Sequence, residues 1–278
     1  MKRFGRIIVI LSAAYLLPCM VSTRASAALT RFVSVPILRA LGVCSARISF
    51  PAAGLLLTGL CLLALAVRRC RRAIPLLLTM FWLLVWIPPQ RTRLVPAFPA
   101  PSQEAVTRLC ESLAGQLNRT GRQEASLASI LTSAQAAMNS PFPPKAARYP
   151  EWMRLLRLSG LYLPLTGEAM VDPTRSAASL PFTAAHELVH ARAVADECAA
   201  NILAYEACVA YGGVPAYSAR LWALKYAAGY LENARWILHA LAPDIAADFA
   251  AIPYDATVGG RYAALTEYLC QAGAYLGA

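Results

Sequence analysis

The most specific chemistry in this 278-residue chain lies at His186-Glu187-Leu188-Val189-His190. Side chains four residues apart share one helix face, so both imidazoles can ligate a single Zn²⁺. Glu187 falls about 100° around the helix from His186, beside the ion without being bound to it. From there it can take a proton from a water that the metal acidifies, which makes it the candidate catalytic base. The chain holds only three histidines, and two fall in this pattern. The third, His239, reads as structural.

A catalytic zinc needs a third protein ligand and an open position. Asp196 and Glu197 are the candidates. Glu197 lies on the same face of an ideal helix as His186, but about 10 Å along the axis from His190 and about 16 Å from His186. Ligation by Glu197 therefore requires the chain to turn between Ala191 and Ala195. The local pattern instead predicts one long helix over 181–211, with Pro181 in its first turn and Gly212-Gly213 as its stop. Before it, residues 161–164 and 168–171 read as a strand pair around the turn dipeptide Thr166-Gly167. Glu168, at the start of the second strand, is a candidate for the wall of a substrate cleft.

The remaining elements are helical. Ser102 and Glu104 mark a helix start, followed by Val106, Leu109, Cys110, Leu113 and Leu117 at helical spacing. A second helix is expected over 125–138, broken by Pro141, Pro143 and Pro144, and others over 216–231, 232–242 and 262–277. Tyr217, Tyr226 and Tyr230 fall at helical spacing and read as core. The expected fold class is mainly α, with a small β-hairpin ahead of the site helix.

The composition is 58% hydrophobic and 15% charged, more apolar than the roughly 45–50% of soluble domains. The net charge of +11 belongs to the first third: residues 1–95 carry 13 Lys/Arg and no acid. Basic residues flanking apolar runs are the membrane pattern, and the balance argues against a nucleic-acid binder. Three runs, 7–23, 48–67 and 73–90, are expected to span a bilayer, leaving 24–47 as a loop. The arginines of 68–72 orient that region with the N-terminus in the cytoplasm. Residues 1–95 then form a multi-pass region in the cytoplasmic membrane, and 96–278 an extracytoplasmic domain. No C-x-x-C pair occurs, which argues against a thiolate zinc site.

The stretch 161–205 resembles the DUF3810 family, membrane-anchored proteins with a zincin-like signature. The matching pieces are Pro164, Thr166-Gly167-Glu168-Ala169, Leu180-Pro181-Phe182-Thr183, His186-Glu187, His190, Glu197 and Ala200-Asn201. The resemblance implies that Glu197 is the third ligand and that Asn201 supports a ligand histidine from behind. Asp196 remains the alternative ligand. The chain departs from the family pattern at Ala193, usually Gly, and at Ala199, usually an acid. The expected activity is that of a zinc metallopeptidase-like hydrolase acting on a peptide or cell-envelope substrate. The alternatives are a non-catalytic binding or sensing protein of the same fold and a zinc hydrolase of non-peptide envelope material.

Overall fold

The computed structural model describes residues 22–48, 51–67, 70–92, 94–252 and 259–273. The first helix, α1, runs over Thr23–Ala46 and includes a π turn at Thr30–Ser34. The Ser22 hydroxyl caps it by accepting from the Ala25 N–H at 3.3 Å. Helix α2 spans Ala53–Ala66. Helix α3 spans Cys70–Phe81 and continues through a π turn at Trp82–Trp86 into Ile87–Gln90.

Two helices among the described residues, Thr23–Ala46 and Ala73–Gln90, are long and apolar enough to cross a membrane. Among the described residues, the expectation of spans at 7–23, 48–67 and 73–90 is met only at 73–90, and a different helix, Thr23–Ala46, is the other candidate. The run at 7–23 lies outside the described residues up to 21. The run at 48–67 yields only the 14-residue α2, which starts just after Pro51 and falls short of the roughly 20 residues a span needs. Conversely, the segment expected as a loop is the helix α1. Arg24, Arg31 and Arg39 interrupt its hydropathy along the sequence, yet they fall within about 80° of one another around a helix. Along the folded helix the three arginines are exposed, whereas Ser26, Thr30, Ser34, Leu38, Gly42 and Ser45 are buried.

The rest of the chain is mainly helical. Helix α4 (Gln103–Thr120) begins at Ser102, whose hydroxyl accepts from the Ala105 N–H at 3.2 Å. Its stripe of Val106, Leu109, Cys110, Leu113 and Leu117 is buried, as the 3.6-residue period predicts. Helix α5 (Leu127–Ala137) is followed by β1 (Lys145–Ala146), α6 (Glu151–Leu155), β2 (Gly160–Leu163) and β3 (Glu168–Val171). The strands form one sheet in the order β1-β3-β2, with β2 antiparallel and β1 parallel to β3. Strand β1 was not expected, because two residues carry no readable alternation.

Then come α7 (Leu180–His190), α8 (Glu197–Tyr211), α9 (Gly213–Ala228), α10 (Trp236–Ala240), α11 (Pro243–Ala251) and α12 (Gly259–Gln271). Helix α9 is buried on nearly every side and packs on α4, α7 and α8. Leu38 of α1 and Val85 of α3 belong to the same core as Leu109, Leu188 and Leu221. Helix α1 reaches the sheet through two glycines. A Cβ on Gly42 would meet the Phe142 ring, and one on Gly167 would meet the Gly42 backbone. Gly167 has φ +69 in the β2–β3 turn, a conformation that glycine adopts at little cost.

Candidate metal centre

Helix α7 carries the histidines and is sunk into the protein. Every residue from Leu180 to His190 is buried except His186. It packs against α5, α8, α9 and the sheet. Ser218 accepts from the Phe182 N–H at 3.1 Å, pairing a donor that the first helical turn leaves over.

The long helix expected over 181–211 is interrupted where ligation by Glu197 demands it. Helix α7 ends at His190, a turn follows, and α8 starts at Glu197. Within the turn the Arg192 N–H donates to Val189 O and the Ala193 N–H to His190 O, both at 2.9 Å. Ala193 then takes φ +62, and Asp196 caps α8 by accepting from the Cys198 N–H at 3.0 Å. A left-handed alanine costs roughly 1–2 kcal/mol more than a right-handed one. Ala193→Gly is therefore expected to raise stability by about 0.5–1 kcal/mol, the gain being offset in part by glycine's freedom when unfolded. Thermal unfolding of the purified chain checks this, and a lowered midpoint would contradict the strain.

The turn brings three side chains to one point. His186 Nε2 lies 3.0 Å from His190 Nε2 and 3.2 Å from Glu197 Oε2, and His190 Nε2 lies 3.7 Å from Glu197 Oε1. Ligand atoms bound about 2.0–2.1 Å from one tetrahedral ion lie about 3.3 Å apart, so the trio has the spacing of a zinc face. His190 is oriented from behind, its Nδ1–H donating to Val194 O at 2.6 Å, which leaves Nε2 as the lone-pair donor. The Glu197 side chain is 41% exposed, so the point of convergence opens to solvent.

Glu187 sits beside the trio. Its carboxylate accepts from the Tyr162 backbone N–H on β2. Gly160 provides the room: a Cβ there would come within 2.5 Å of Glu187 Oε1 and 2.8 Å of Thr183 Cγ2. Burial pushes the Glu187 carboxyl up, against the opposing pull of the two imidazoles. Burial disfavours the charged form of His190, but the Glu197 carboxylate, Glu187 and the Val194 carbonyl outweigh it and push that imidazole up to about 9. Burial likewise works against the Glu197 carboxylate, and the two histidines overcome it, holding the acid well below its ordinary range.

The other expected residues fall elsewhere. Asp196 is the α8 cap. Asn201 is buried one turn beyond Glu197 on α8, and Ala199 is buried between them in sequence. Glu168 forms a buried ion pair with Lys145 at 2.7 Å and accepts from the Ala52 N–H at 2.8 Å. Tyr217 donates to Asp248 and Tyr230 to Glu267, while His239 is exposed on α10. Sequence reading missed Val194, Gly160 and the Tyr162 N–H. Two of these act through the backbone and have no side-chain signature. Gly160, standing directly before an apolar run, was the one visible signal.

No curated protein and no solved structure is matched by this chain. One family model does match, over residues 31–253, which takes in α1 from Arg31 onward, every element through α11 and the whole histidine–glutamate trio. Its description is "Protein of unknown function (DUF3810)", and over that span the chain belongs to the DUF3810 family.

Proposed function

We propose that the chain is a membrane-anchored, zinc-dependent hydrolase of the metallopeptidase class. The observation that carries this reading is the convergence of His186, His190 and Glu197 at the mutual spacing of a zinc face. Zinc bound there would supply Lewis acidity, acidifying a water and polarising a scissile carbonyl. His186, His190 and Glu197 would hold it, with two neutral imidazoles and one carboxylate leaving a net positive centre. Glu187 would accept the proton from water and return it to the leaving group. The Tyr162 N–H and the space at Gly160 keep that carboxylate aimed. A base poised beside the trio favours a hydrolase over a binding module. The apolar helices Thr23–Ala46 and Ala73–Gln90 support the anchor. By charge alone, the arginines among residues 68–72 favour a cytoplasmic position for that stretch.

Metal analysis of the purified full chain tests the ligand set. About one zinc per chain is expected, falling to background in the His186→Ala, His190→Ala double variant. Glu197→Gln is expected to weaken retention about tenfold or more, whereas Asp196→Asn leaves it near wild type. Loss of zinc on the Asp196 change but not on the Glu197 change would overturn the assignment.

A further inference from the structure

Between β1 and β2 the chain presents large apolar side chains to the outside. Leu155 is 84% exposed, Tyr149 66%, Leu156 60% and Trp152 39%, whereas Met153 alone holds α6 to the core. Arg157 takes φ +57 just after α6. Arg148, Arg154 and Arg157 share the segment with a single acid, Glu151. Arg148 lies over the Tyr149 ring, and Arg154 reaches Glu151 at 3.4 Å. Tryptophan and tyrosine among leucines and arginines make up the side-chain set that partitions to the headgroup level of a bilayer.

The surroundings place this segment where a bilayer surface would be. Three residues before it, Lys145 donates to the Ser45 carbonyl at 2.8 Å, near the end of α1. Just after it, Tyr162 packs on Trp86 of α3, with ring centroids 5.8 Å apart. On the neighbouring strand Glu168 holds the Ala52 N–H, at the start of α2. Both ends of the segment are thus tied to the base of the α2–α3 hairpin, whose own flanks expose Leu62 and Leu77. The arginines complement anionic headgroups.

We propose that residues 148–157 seat in the headgroup region of an anionic lipid leaflet, as a second membrane contact beside the apolar helices. The inference rests on the membrane-anchored part of the reading above, not on the zinc chemistry. Because β2 follows directly and supplies the N–H that holds Glu187, this seat brings the metal centre to the membrane surface. Substrate would reach it there.

The test uses the full chain in vesicles of phosphatidylcholine and phosphatidylglycerol. The chain has five tryptophans, so Trp152 is read as the emission lost on Trp152→Phe. With acyl chains brominated near the headgroup, this difference emission is expected to fall about twofold or more, as for an interfacial aromatic. The same subtraction with Trp82→Phe reports the hairpin. Quenching of Trp82 without quenching of Trp152 overturns the inference and leaves the membrane reading standing; quenching of neither overturns both. Leu155→Asp with Leu156→Asp, at positions the core does not use, is expected to restore Trp152 emission. Replacing phosphatidylglycerol by phosphatidylcholine is expected to restore it in part. Undiminished quenching in the double variant overturns the proposal.

Discussion

Glu187→Gln is expected to keep zinc at the wild-type stoichiometry and to lower turnover of a peptide library by about 10²–10⁴-fold, the usual contribution of a general base. The amide is nearly isosteric and still accepts from the Tyr162 N–H, so the helix, the trio and the strand keep their places. What it cannot do is take a proton. Gly160→Ala approaches the same carboxylate by another route. Its methyl would overlap Glu187 Oε1 and Thr183 Cγ2, forcing the buried acid or the β2 backbone to move. That variant is expected to bind zinc and lose activity while retaining the titratable group. Zinc loss in Glu187→Gln would make Glu187 a ligand. Full turnover in the same variant would remove water activation from the mechanism and move the binding-module reading ahead.

Glu168→Ala is expected to destabilise the chain by about 3–5 kcal/mol, the cost of leaving a buried charge without its partner. The Lys145 side chain is 9% exposed and the Glu168 side chain fully buried. The Ala52 N–H would lose its acceptor as well. Lys145→Met combined with Glu168→Leu removes both charges and is expected to recover most of the loss. Denaturant or thermal unfolding of the purified chain reads both variants. Wild-type stability in Glu168→Ala would return Glu168 to the substrate cleft, the role its place in the sequence suggested. The paired geometry makes it a tie between the sheet and the chain leading into α2.

Where local periodicity carries enough information, the sequence alone determined the element. The stripe from Val106 to Leu117 needs only its own spacing to define a buried face, and Ser102 sets its start. Thr166-Gly167 specifies a tight turn because few residues tolerate φ +69. The histidine spacing specifies a shared helix face for the same kind of reason. The break after His190 is different. Ala191-Arg192-Ala193-Val194-Ala195 holds neither Gly nor Pro, and alanine is the best helix former, so local propensity argues for continuation. The turn is held instead by the His190–Val194 hydrogen bond, the Arg192 guanidinium on Met138 O, and the Asp196 cap. Helix α1 was hidden because arginines that lower a linear hydropathy average cluster on one side once the chain coils. The pairing of Glu168 with Lys145 and Ala52 joins residues 23 and 116 positions apart, which no local pattern encodes. The position of Glu197 belongs to this second class: it meets the histidines because packing around α7 and α8 outweighs the helical preference of the five residues between them.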